Sequence, residues 1–126
     1  MCLKFCVYQI NLKRDAERLA FEGLENLQRY HGSAEVPSDL YDKVYEGNME
    51  LSNLEDLFRL LNINLPDDYH ARSMSVSDVV EIKEGGTQAE SPGFYFCDSV
   101  GFKKIDFHPE QAGPDESNIR MQMTGY

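Results

Sequence analysis

Leu3-Lys4-Phe5-Cys6-Val7-Tyr8-Gln9-Ile10 is the segment on which the fold of this 126-residue chain turns. It is rich in β-formers, and apolar residues stand on both sides of its two-residue alternation. A strand covered on both faces belongs near the middle of a sheet.

Outward from that strand, Ala16, Leu19, Ala20, Leu24 and Leu27 recur at helical spacing, with Asn11 and Asp15 near the entry and His31-Gly32 near the exit. This spacing predicts an amphipathic helix from about Lys13 to Tyr30. Residues 32–38 read as a loop, and Leu40 to Gly47 as a short strand closed by a Gly-Asn turn. Ser52 stands three residues before Glu55, the capping-box spacing, and Leu54, Leu57, Phe58 and Leu61 follow with helical period. A second helix is therefore expected from about Asn53 to Asn62, with Pro66 beyond its end. The period then becomes strand-like: Ser77 to Lys83, a Gly85 to Pro92 connector, the return strand Gly93 to Asp98, a Ser99-Val100-Gly101 turn, and Phe102 to Phe107.

The order β-α-β-α-β-β-β places the chain in the α+β class, a small mixed or antiparallel sheet of about five strands with two helices. From His108 onward two prolines, two glycines and no sustained period predict a flexible tail, so the expected domain is 1–107 and the tail 108–126.

Composition narrows the function. An apolar fraction of 41%, with seven Phe and seven Tyr, supports a folded core, and the length suits one domain. Acidic residues outnumber basic ones by 22 to 12, a net charge of −10 that repels phosphate backbones and anionic membranes. Neither nucleic acid nor membrane is an expected partner. Met1 to Tyr8 has no signal-peptide or transmembrane character, and three cysteines (Cys2, Cys6, Cys97) cannot all pair internally. Both features predict a cytoplasmic protein.

No chemical constellation stands out. His31, His70 and His108 lack metal-ligand spacing; Cys97 lies in an apolar strand, which raises a thiol pKa; Gly85-Gly86 lacks the rest of a phosphate-binding loop. Glu55-Asp56 and Asp67-Asp68 read as a solvated acidic face. The expectation is a non-enzymatic protein with no metal and no cofactor. Charge distribution says more: between Asp39 and Asp68 stand Asp39, Asp42, Glu46, Glu50, Glu55, Asp56, Asp67 and Asp68, against only Lys43 and Arg59. These eight acids are the candidate partner-binding residues. They serve either solubility or the steering of a basic protein surface.

Three segments together resemble the YodL-like family, small domains common in conjugative and other mobile elements of Gram-positive bacteria. They are Tyr8 to Asp15 with Arg18 to Phe21; Val44 to Gly47 with Leu54 to Leu57; and Ser73 to Val80 with Tyr95 to Phe102. The third is the most specific, a Ser-Val-Ser-Asp-Val-Val run followed by an aromatic strand, Asp-Ser and Gly-Phe. In it, Asp78 opens a strand and Asp98-Ser99 organise a turn that Gly101 completes, so these residues read as architectural. The resemblance implies a mobile-element accessory protein and suggests an anti-defence inhibitor of a CRISPR nuclease or its guide-RNA complex. The alternative is an interaction or regulatory module of a conjugative element with no role in defence.

Overall fold

The computed structural model describes residues 2–15, 18–31, 36–85 and 91–113. Five strands, β1 (Cys2–Ile10), β2 (Tyr41–Glu50), β3 (Val79–Glu84), β4 (Gly93–Cys97) and β5 (Phe102–Ile105), form one sheet in the order β2-β1-β3-β4-β5. Every neighbouring pair is antiparallel. The helices are α1 (Leu24–His31) and α2 (Leu54–Ile63), which gives the expected α+β order.

The alternation in β1 produces two cores. Leu3, Phe5 and Val7 join Leu54, Leu57 and Leu61 of α2, with Tyr69, Met74, Val80, Ile82 and Tyr95, on one face of the sheet. Cys6, Tyr8 and Ile10 join Leu19, Leu27, Tyr41, Val79, Phe96 and Phe107 on the other. A register shift between Val7 and Tyr8 skips Val44, a β-bulge that lets adjacent Val44 and Tyr45 both enter the α2-side core.

The α2 region follows its sequence signals with a one-residue shift. Asn53 is the N-cap and its side chain accepts from Asp56 N–H at 2.9 Å, while Asp56 reaches back to Ser52 N–H at 3.2 Å. A variant of the box forms, built by Asn53 and Asp56 rather than Ser52 and Glu55, with the Asp56 carboxylate on the N–H one residue before the N-cap.

The first helix is much shorter than its periodicity predicts. Asp15 does not start a helix there. Its carboxylate accepts the N–H groups of Leu19 at 2.7 Å and Ala20 at 2.8 Å, and Arg18 and Phe21 take positive φ of 56° and 72°. Both angles lie outside helical space. The Phe21 N–H is held by Ser77 Oγ at 2.9 Å. The helix opens only at Leu24, whose N–H donates to Asp98 Oδ1 across 74 residues of chain. Leu19 still reaches the core, carried there by a loop; Ala16 lies outside the described residues.

Beyond Phe107 the chain stays on the domain as far as it is described. His108 N–H donates to Ser38 Oγ, a 3₁₀ turn follows at Pro109–Gln111, and Gly113 pairs in parallel with Asp42 through bonds to Tyr41 and Lys43. A side chain at 113 would run into the Asp42 carboxylate, so glycine is needed there. Residues 114–126 of the expected tail lie outside the described residues, as do 32–35 of the first loop and 86–90 of the hairpin connector.

Candidate functional site

The eight candidate acids do not form one surface. Asp42 is buried and committed to the fold: Arg14 Nη2 donates to it at 2.8 Å and Asn11 Nδ2 at 2.7 Å. Asp56 caps α2 and pairs with Arg59 at 3.3 Å. Asp68 is exposed and accepts the Tyr45 hydroxyl at 2.9 Å. Asp39, in the 3₁₀ turn Ser38–Leu40, and Glu55 and Asp67 are exposed. Glu46 and Glu50 are exposed residues of β2, an edge strand, opposite Cys6 and Cys2 of β1. Glu46 lies between Lys43 at 2.8 Å and Lys83 at 3.6 Å, and the Lys43 hydrogen bond holds its carboxyl below the usual range.

At the end of β1 a polar network runs through the α2-side layer. Gln9, the last residue but one of β1 and itself buried, donates through Nε2 to Asp78 Oδ2 at 3.0 Å, to the Arg72 carbonyl at 2.9 Å and to the Tyr69 hydroxyl at 3.3 Å. Asp78 is fully buried and also accepts Ser75 N–H at 3.0 Å. Burial pushes its carboxyl up to about 7, against the opposing pull of those hydrogen bonds and of the Arg72 charge. Among the described residues three buried side-chain polar atoms have no hydrogen-bond partner: Arg72 Nε, Ser75 Oγ and Asp78 Oδ1. All three fall in residues 72–78.

Beside this network opens a cleft of about 360 Å³, lined by residues 9–13 of β1 and its exit, by Asp42 and Val44 of β2, and by His70, Ala71 and Arg72. The Arg72 guanidinium lies 5.3 Å from the centroid of the Phe21 ring, and its Nη2 donates to the Ile10 carbonyl at 2.9 Å. Neither Gln9 nor Arg72 is among the residues that spacing and composition single out. A polar Gln9 inside the apolar run was the available signal.

A smaller cavity of about 190 Å³ lies between Glu55 and Phe58 of α2 and Cys97, Asp98, Ser99, Gly101 and Phe102. Burial pushes the Cys97 thiol up to about 12, so it is a thiol rather than a thiolate at neutral pH. Cys6 is buried and raised in the same direction by the same cause. His70 is exposed and His108 pairs with Glu110 at 3.3 Å, while the His31 side chain lies outside the described residues. No group of three or more metal-ligating side chains converges among the described residues, and none of their helices is long and apolar enough to cross a membrane.

The class is thus a small α+β domain with an antiparallel sheet clothed on both faces and a polar seam at the end of β1. The model of the YodL-like domain matches residues 4–107, and the chain belongs to that family. No curated protein and no solved structure matches it. The motif residues Ser77, Asp78 and Asp98 hold, respectively, the loop before α1, the Gln9 seam and the start of α1.

Proposed function

We propose that the domain is a non-catalytic accessory protein of a mobile element that binds a basic protein surface through the edge of β2 and inhibits a host-defence nuclease, a CRISPR effector in the first instance. The observation carrying this reading is the outer edge of β2. Gly113 covers only its head, at Asp42 and Lys43. From Val44 to Glu50 no strand lies along that edge among the described residues, and Glu46, Asn48 and Glu50 are exposed there. An open edge offers backbone donors and acceptors to an added strand, and its carboxylates favour a basic one. The net charge of −10 supports fast association with the positive channels that hold guide and target in such nucleases. On this reading Glu50 and Asp39 are the working acids together with Glu46, which exchanges its exposed pairings with Lys43 and Lys83 for the partner's cations, and buried Asp42 serves the fold.

The test is DNA cleavage by guide-loaded CRISPR nucleases of Gram-positive origin, titrated with the protein at two salt concentrations. Inhibition that weakens with salt, and that is lost in the Glu46→Lys, Glu50→Lys double variant, is the expected result. Undiminished inhibition by that variant refutes the edge mechanism. No inhibition of any nuclease at either salt refutes the anti-defence role and leaves an interaction module of a conjugative element, to be traced by co-purification from a host carrying that element.

A further inference from the structure

In a chain where acids outnumber bases by 22 to 12, the cleft at the end of β1 is an exception. Its lining holds Lys13, His70 and Arg72, and none of the three meets a carboxylate at ion-pair distance among the described residues. The single acid in the lining, Asp42, is already taken by Arg14 and Asn11. The cleft therefore carries a local positive excess within a negative molecule.

Solvated surface lysines alone would carry no inference. Arg72 does, because it lines the cleft and, among the described residues, only the Nη2 of its guanidinium has an acceptor. The guanidinium is also fixed in place, with Phe21 against its face and the Ile10 carbonyl on Nη2. A rigid guanidinium with an open donor is suited to a tetrahedral oxyanion; Lys13 stands in the same lining to share a second negative charge, and His70 stands there with ring nitrogens able to hydrogen-bond an oxyanion. Leu12, Val44 and Ala71 supply apolar wall, and about 360 Å³ falls within the range of small-molecule sites.

We propose that this cleft is a phosphate-binding site, with Arg72 as the anchoring group, Lys13 as charge partner and His70 as a hydrogen-bonding side chain. The phosphate is either free or carried on a small organic molecule whose body lies along the apolar wall. The site is separate from the acidic edge of β2 and stands or falls independently of the partner assigned to that edge.

The experiment is a titration of the full ¹⁵N-labelled chain with inorganic phosphate and, separately, with ribose 5-phosphate, at constant ionic strength, with sodium acetate as control. The expected result is saturable shifts of amides in residues 9–13 and 70–72 with phosphate and none with acetate. Affinity should fall at least tenfold in the Lys13→Gln, His70→Gln double variant, whose changes are confined to exposed side chains. Arg72→Lys keeps the charge but loses the fork, and should weaken binding further. Tighter binding of the sugar phosphate than of inorganic phosphate identifies an organic phosphate as the ligand; equal binding identifies phosphate itself. Non-saturable shifts, equal response to acetate, or affinity unchanged in the double variant overturns the site.

Discussion

The two faces of the sheet bury similar side chains but hold their covers in different ways. On the α2 face the cover is led by one helix, with Leu54, Leu57 and Leu61 all fully buried, caps supplied by Asn53 and Asp56 next door, and Tyr69 and Met74 of the following segment alongside. On the α1 face the cover is assembled from an irregular loop, an eight-residue helix and the chain after β5. Its anchors come from afar: Ser77 to Phe21, Asp98 to Leu24, Ser38 to His108. A helical cover gains its stability from periodic apolar contact, whereas the assembled cover depends on single hydrogen bonds placed where backbone groups would otherwise be orphaned.

The widest gap between the faces should come from Leu57→Ala. A fully buried leucine in a packed layer costs about 2–5 kcal/mol when cut to alanine, and the loss should appear as a lower denaturant midpoint of the whole domain. A change below about 1 kcal/mol would mean that α2 is not the main cover of that face.

The second test addresses Asp78, which links the faces: its side chain holds Gln9, and Ser77 before it accepts the Tyr41 hydroxyl on its carbonyl at 2.7 Å. Its folded pKa of about 7 lies above the ordinary aspartate value, so between about pH 4 and 7 the native state holds a proton that the unfolded chain has released. Stability from this group is therefore present below about pH 4 and is lost as pH rises to 7, on the order of a few kcal/mol in all. Asp78→Asn retains an oxygen for Gln9 and Ser75 and should flatten that slope in denaturant titrations at pH 5 and pH 8. An identical slope in wild type and variant would remove Asp78 as its source.

The smallest effect is expected from Asp15→Ala, which frees the Leu19 and Ala20 amides. A loss of about 1–2 kcal/mol, as for a cap, should be confined to this cover, with faster amide exchange at residues 18–21 and protection in α2 unchanged. Exchange that rises equally on both faces would show the two covers to be one cooperative unit.

The same contrast explains what the sequence made legible. Strand alternation in β1, the leucine period of α2 and the aromatic β4 are local patterns, and the α+β class and element order follow from them. The period of Leu19, Leu24 and Leu27 was equally regular, yet the helix begins only at Leu24, because Asp15 accepts amides that an early helical turn would have used. No local rule announces that competition. Nor does one place Gly113 beside Asp42, the contact that keeps residues 108–113 on the domain. Among the candidate acids, spacing could not separate Asp42, consumed by Arg14, from Glu50 on an exposed edge, since register and the bulge at Val44 decide which carboxylate turns inward. The cleft joins residues 9–13 to 70–72, a pairing that only the path of the chain after α2 creates.

The bond from Leu24 N–H to Asp98 has a consequence in time. A helix of eight residues gains too little from its own backbone to persist alone, and here its first turn leans on the turn between β4 and β5. The second element of the chain to be synthesised thus waits for nearly the last. Translation order and folding order should run opposite for α1, with the hairpin closing before the helix condenses onto it. Leu27→Ala should then accelerate unfolding and leave the refolding rate almost untouched, and a refolding rate that falls with stability would place α1 in the nucleus instead.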